Sequence, residues 1–106
     1  MRSVEFFIDK AKEYSNSIDG ILPSLLSQEL PDFKPSPEQS EKISDIRNKT
    51  KLLFSEFDNG GIFEKNIAAI DQNKMLLLEE EEVLERYKYT LSLFIDHVSE
   101  FRERAN

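Results

Sequence analysis

Cysteine and tryptophan are both missing from this 106-residue sequence. Without a thiol there is no disulfide, no thiolate metal site and no cysteine nucleophile, and the lack fits a reducing compartment. Histidine is nearly absent. The lone His97 follows Asp96, and no set of further ligands or nucleophile-base partners is legible around it. The expectation is therefore no catalytic residue, no metal, no cofactor, no small-molecule substrate and no enzymatic activity. Long apolar runs are also lacking: none exceeds four residues, as at 75–78. With neither a signal-peptide core nor a spanning segment, the expectation is an intracellular, soluble protein, cytoplasmic or nuclear, with no membrane partner. Positive charge is in deficit, with 14 Lys and Arg against 21 Asp and Glu and a net charge of −7. That balance speaks against nucleic acid or an anionic lipid surface. Glycine is rare too, at three residues, and the four prolines all lie within the first 37 positions.

What is present is helical periodicity. At 39% apolar and 33% charged, with eight Phe and three Tyr, the chain has patterned apolar residues and not the composition of a disordered one. Residues 62–106 contain neither proline nor glycine, and their second half carries Leu84, Tyr87, Leu91, Phe94, Val98, Phe101 and Ala105. That 3-4-3-4 spacing predicts a helix with one narrow, coiled-coil-like seam. Carried backwards, the register meets Leu77, Ile70 and Phe63 but fails at Glu80, Asn73 and Asn66. The reading is one long helix over about 62–104, roughly 65 Å in length.

Upstream, Ser3 is a candidate N-cap, and Val4, Phe7, Ala11, Tyr14 and Ile18 step at helical spacing. Gly20 and Pro23 predict an end to this first helix near 19 and a short second piece over about 23–30. Pro31, Pro35 and Pro37 predict a linker over 27–36. Ser36-Pro37-Glu38-Gln39 is a capping box with proline at the first helical position. It opens a helix over 37–57 with Ile43, Ile46, Thr50, Leu53 and Phe57 on one face, and Asp58-Asn59-Gly60-Gly61 stops it. That turn lacks the alternating oxygens of a calcium loop and the Lys-Ser/Thr of a phosphate loop. Its shortness makes the flanking helices antiparallel neighbours.

These elements predict a single all-α domain: a three-helix antiparallel bundle, or an elongated helical hairpin with a long C-terminal helix. The helix over 37–57, about 31 Å long, covers only half of a 65 Å partner. The favoured arrangement therefore leaves the distal seam to another chain; the alternative lays the first helix along it. Leu84, Tyr87, Leu91, Phe94, Val98 and Phe101 are the expected partner-binding residues. The function expected is that of a non-enzymatic subunit or adaptor joined through this seam to a helical chain, its own copy or another. The alternative is an acidic module, a chaperone, anti-factor or inhibitor, that occludes a basic or amphipathic target through Glu79, Glu80, Glu81 and Glu82. Glu80 falls on a seam position, where a carboxylate must open to solvent or meet a basic group.

Overall fold

The computed structural model describes residues 3–26, 36–72 and 80–105. They form four helices, α1 Val4–Leu26, α2 Pro37–Phe57, α3 Ile62–Gln72 and α4 Glu80–Ala105, with no strand among the described residues. The expected linker, apart from Ser36, and the second half of the expected short helix lie outside the described residues.

Local chemistry sets the start of α1, both ends of α2 and the start of α3. Ser3 Oγ accepts from the Phe6 amide at 3.1 Å, capping α1. Ser36 Oγ accepts from the Gln39 amide at 3.1 Å while Gln39 Oε1 accepts from the Ser36 amide at 3.0 Å. With Pro37 at the first position, this is the capping box read from the sequence. Two glycines make the α2–α3 turn, for different reasons. Gly60 has a φ of +76°, where a side chain is strained. At Gly61, an added Cβ would lie 2.9 Å from the Asp58 carbonyl oxygen.

Two expectations are corrected. The first is the break in the N-terminal helix. α1 runs without interruption through Gly20 and Pro23. An interior proline costs about 3 kcal/mol and a glycine about 1. Against this, Ile21 and Leu25 are buried and Leu22 half-buried, and each fully buried side chain returns about 1.5–3 kcal/mol. Continuing the helix keeps these residues in register with Ile18, so burial offsets the breakers. The second is the single long C-terminal helix. Asp71 Oδ1 accepts a hydrogen bond from the Tyr87 hydroxyl at 2.7 Å, and the Phe63 and Phe94 rings are 5.3 Å apart. A continuous helix would separate residues 71 and 87 by about 24 Å. α3 and α4 instead lie side by side, antiparallel. The physical reason is visible in the failed register: Asn66 and Glu80 leave gaps that a seam cannot bury at a profit, whereas two shorter helices can each turn an apolar face inward.

The four helices pack antiparallel to their chain neighbours, so the arrangement is a four-helix bundle and not the three-helix one. α1 against α4 is the most extensive contact, with Phe7 beside Phe94 and Asp19 paired to Lys88. Thus α1 covers the distal seam, the arrangement that was expected less. Phe94 is the hub of the core. Its ring lies 4.9 Å from Phe54, 5.1 Å from Phe57, 5.3 Å from Phe63 and 6.4 Å from Phe7, so every other helix reaches it. Thr50, buried in the same interior, donates its hydroxyl to the Ile46 carbonyl at 2.8 Å, as a buried hydroxyl must find a partner.

Candidate interaction surfaces

The seam residues Leu84, Tyr87, Leu91, Phe94 and Val98 are all at 0% exposure within the single chain. They are enclosed by α1, α2 and α3, so a second chain reaches them only by opening the bundle. The face expected to meet a partner is thus covered within the chain itself. α1 reaches the seam because it is unbroken, and α3 and α4 share it because they are separate helices. Phe101 alone remains open, 59% exposed.

The run of glutamates does not form one patch. Glu79 lies outside the described residues, Glu81 is half-buried and Glu82 exposed; adjacent positions on a helix diverge by about 100°. Glu80 turns towards α2. Its Oε2 sits 3.7 Å from Arg47 Nη1, out of hydrogen-bond reach and shielded from solvent. The seam carboxylate has met a basic group.

That contact belongs to a polar cluster the sequence reading missed. Arg47 Nη2 donates to Asp71 Oδ1 at 2.7 Å, Lys51 Nζ pairs with Asp71 Oδ2 at 2.8 Å, and the Tyr87 hydroxyl donates to Asp71 as well. The Arg47 guanidinium carbon also lies 5.6 Å from the centroid of the Tyr87 ring. Burial pushes the Asp71 carboxyl up, but hydrogen bonds from Lys51, Tyr87 and Arg47 outweigh it and hold the carboxyl below its ordinary range. Burial and then the Asp71 hydrogen bond push the Tyr87 phenol well above its ordinary value. Three groups bind one carboxylate to tie α2, α3 and α4 together. Their mutual saturation makes this a structural latch.

Beside the latch, α2 and α3 form an open groove lined by Lys51, Leu52 and Ser55 on one side and Glu64, Ile67, Ala68, Asp71 and Gln72 on the other. Ile67 forms the floor at 1% exposure, while Leu52 stands at the rim, 70% exposed. Ala68 is exposed and leaves room for a close approach. Glu64 Oε2 is shielded from solvent and has no hydrogen-bond partner among the described residues.

A second surface is the outer stripe of α4, where Glu82, Glu85, Tyr89, Leu93, Asp96 and Glu100 share one face and are all exposed. None of these four carboxylates has an ion-pair partner among the described residues. His97 lies against the rings of Phe57 and Phe63 at centroid distances of 6.1 and 5.6 Å. Among the described residues no helix is long and apolar enough to cross a membrane. No protein-family model, no curated protein and no solved structure matches this chain.

Proposed function

We propose that this chain is a non-enzymatic interaction protein, a small helical subunit or adaptor, and that its partner helix seats in the α2–α3 groove. One observation carries the reading: a large apolar side chain, Leu52, stands 70% exposed above an apolar floor, in a groove lined by residues of both helices. α3 has 11 residues, about 16 Å, so the groove accommodates about three helical turns. A helix laid in a groove is a common mode of recognition, with anchors at one-turn spacing. The groove suits another chain better than a second copy of itself. In a two-fold pairing the same surface faces its twin, and Glu64 would look for a cation in a face whose Lys51 is already bound to Asp71.

The test is a photo-reactive residue placed at 52, at 89 or at 12 in the intact chain and activated in cells. The reading expects one discrete adduct from position 52 and only diffuse background from position 12, an exposed α1 site. It is abandoned if 52 behaves like 12. A discrete adduct from 89 alone favours the second reading, an acidic module holding a basic target on the outer α4 stripe. The exposed Tyr89 and Leu93 amid four carboxylates support it.

A further inference from the structure

We infer that the helix received by the α2–α3 groove carries a lysine or arginine one turn away from its central apolar residue, and that Glu64 binds it. The inference rests on the docking reading and names what that site recognises. Its ground is the state of the Glu64 carboxylate. Oε2 is hidden from solvent and accepts no hydrogen bond among the described residues, and a polar atom left unpaired in that way is costly. Both side-chain donors on the facing wall of the groove, Lys51 and Ser55, are committed elsewhere. Lys51 Nζ is held by Asp71 Oδ2 at 2.8 Å, and the Ser55 hydroxyl donates to Asn59 Oδ1 at 3.3 Å. Rotation of the half-buried Glu64 side chain turns this oxygen to the open groove, where a docked chain supplies the donor. In a chain whose net charge is −7, complementarity calls for a cation.

The helical register fixes where that cation sits. Glu64 and Ala68 are one turn apart on α3, and Leu52 lies opposite Ile67 and Ala68. An incoming side chain that packs on Leu52 and Ala68 is thus flanked, about 6 Å away along the groove, by the side chain that meets Glu64. The recognised pattern is apolar and basic residues three or four positions apart.

A display library of helical peptides, with apolar residues fixed at one-turn spacing and all other positions randomised, tests this on the intact chain. Binders are sorted by whether they fail on Leu52→Glu, an exposed substitution that leaves the fold alone. The expected result is that Leu52-dependent binders share Lys or Arg at one position three or four residues from a fixed apolar one. Glu64→Gln should then weaken them about 10-fold or more, since a hydrogen bond between charged groups is worth roughly a factor of 10 to 100. Replacing the peptide's basic residue by norleucine should have the same effect on the unaltered chain, so the outcome does not hang on the variant's folding. Leu52-dependent binders without an enriched basic position, or with equal affinity for Glu64→Gln, overturn this inference and leave the docking reading standing. If no binder depends on Leu52, the docking reading falls and this inference with it.

Discussion

Phe94 and Phe101 sit on the same stripe of the same helix, two seam steps apart, and the fold gives them opposite fates. Phe94 is at 0% exposure and Phe101 at 59%. Removing the Phe94 ring leaves a void against Phe54, Phe57, Phe63 and Phe7, whose helices are tied elsewhere and cannot all collapse into it. Phe94→Ala should therefore cost about 3–5 kcal/mol. A chain of this size holds only about 5–15 kcal/mol in all, so the loss is between a fifth and the whole. At about 4–8 °C per kcal/mol, the melting midpoint should fall by at least about 12 °C. Phe101→Ala should stay within about 0.5 kcal/mol of the parent. Urea unfolding followed by helical circular dichroism, at two chain concentrations tenfold apart, measures both. The burial reasoning is refuted if the two variants lose similar stability. It is refuted also if the parent's midpoint rises with concentration and Phe94→Ala abolishes that rise, because the seam would then be completed by a second chain.

Gly20 and Gly60 should respond with opposite sign. Gly20→Ala, mid-helix with nothing within 4 Å of an added Cβ, should stabilise by about 0.5–1 kcal/mol; Gly60→Val, at φ +76°, should destabilise by at least about 1 kcal/mol, both read from thermal melts. The latch gives stability two pH limits. The Asp71 carboxyl titrates lower in the fold than in the unfolded chain, so its contribution is present above about pH 4 and disappears as pH falls through the folded value. Asp71→Asn should flatten that acid limb in a pH series of urea midpoints. The Tyr87 phenol titrates higher in the fold, so its contribution is whole below about pH 10 and declines above it; Tyr87→Phe should remove that alkaline decline.

How much of this was legible differs from element to element, and the differences have causes. Both ends of α2 could be read because they depend on local chemistry: the Ser36 cap with Gln39, and the left-handed turn at Gly60. The continuity of α1 could not, although the register of Ile18, Ile21 and Leu25 was there to see. Local rules assign Gly20 and Pro23 a cost, but the compensating burial comes from α2 and α4, which such rules do not contain. The separation of α3 from α4 left no glycine or proline to announce it. Its trace was negative, namely polar residues at Asn66, Asn73 and Glu80 where the seam asked for apolar ones.

The seam itself teaches the sharper lesson. Periodicity identifies a face that must be buried; it does not say by what. Leu84 to Val98 would read the same whether a second chain or α1 covered them, and only the placement of α1 decides. The groove, by contrast, was within reach of the sequence. Once the turn at Asp58 to Gly61 is accepted, antiparallel register sets Ser55 opposite Glu64 and Lys51 opposite Ala68, so Leu52 falls beside them, across from Ile67, on a side of α2 that Ile43, Ile46, Thr50, Leu53 and Phe57 do not share. An apolar residue on the polar side of an amphipathic helix was the signal. In a chain whose core residues fit their helical faces so consistently, Leu52 on the solvent side of α2 is the most exposed of the large apolar side chains among the described residues, and a side chain the fold does not use is where a function other than folding has room to act.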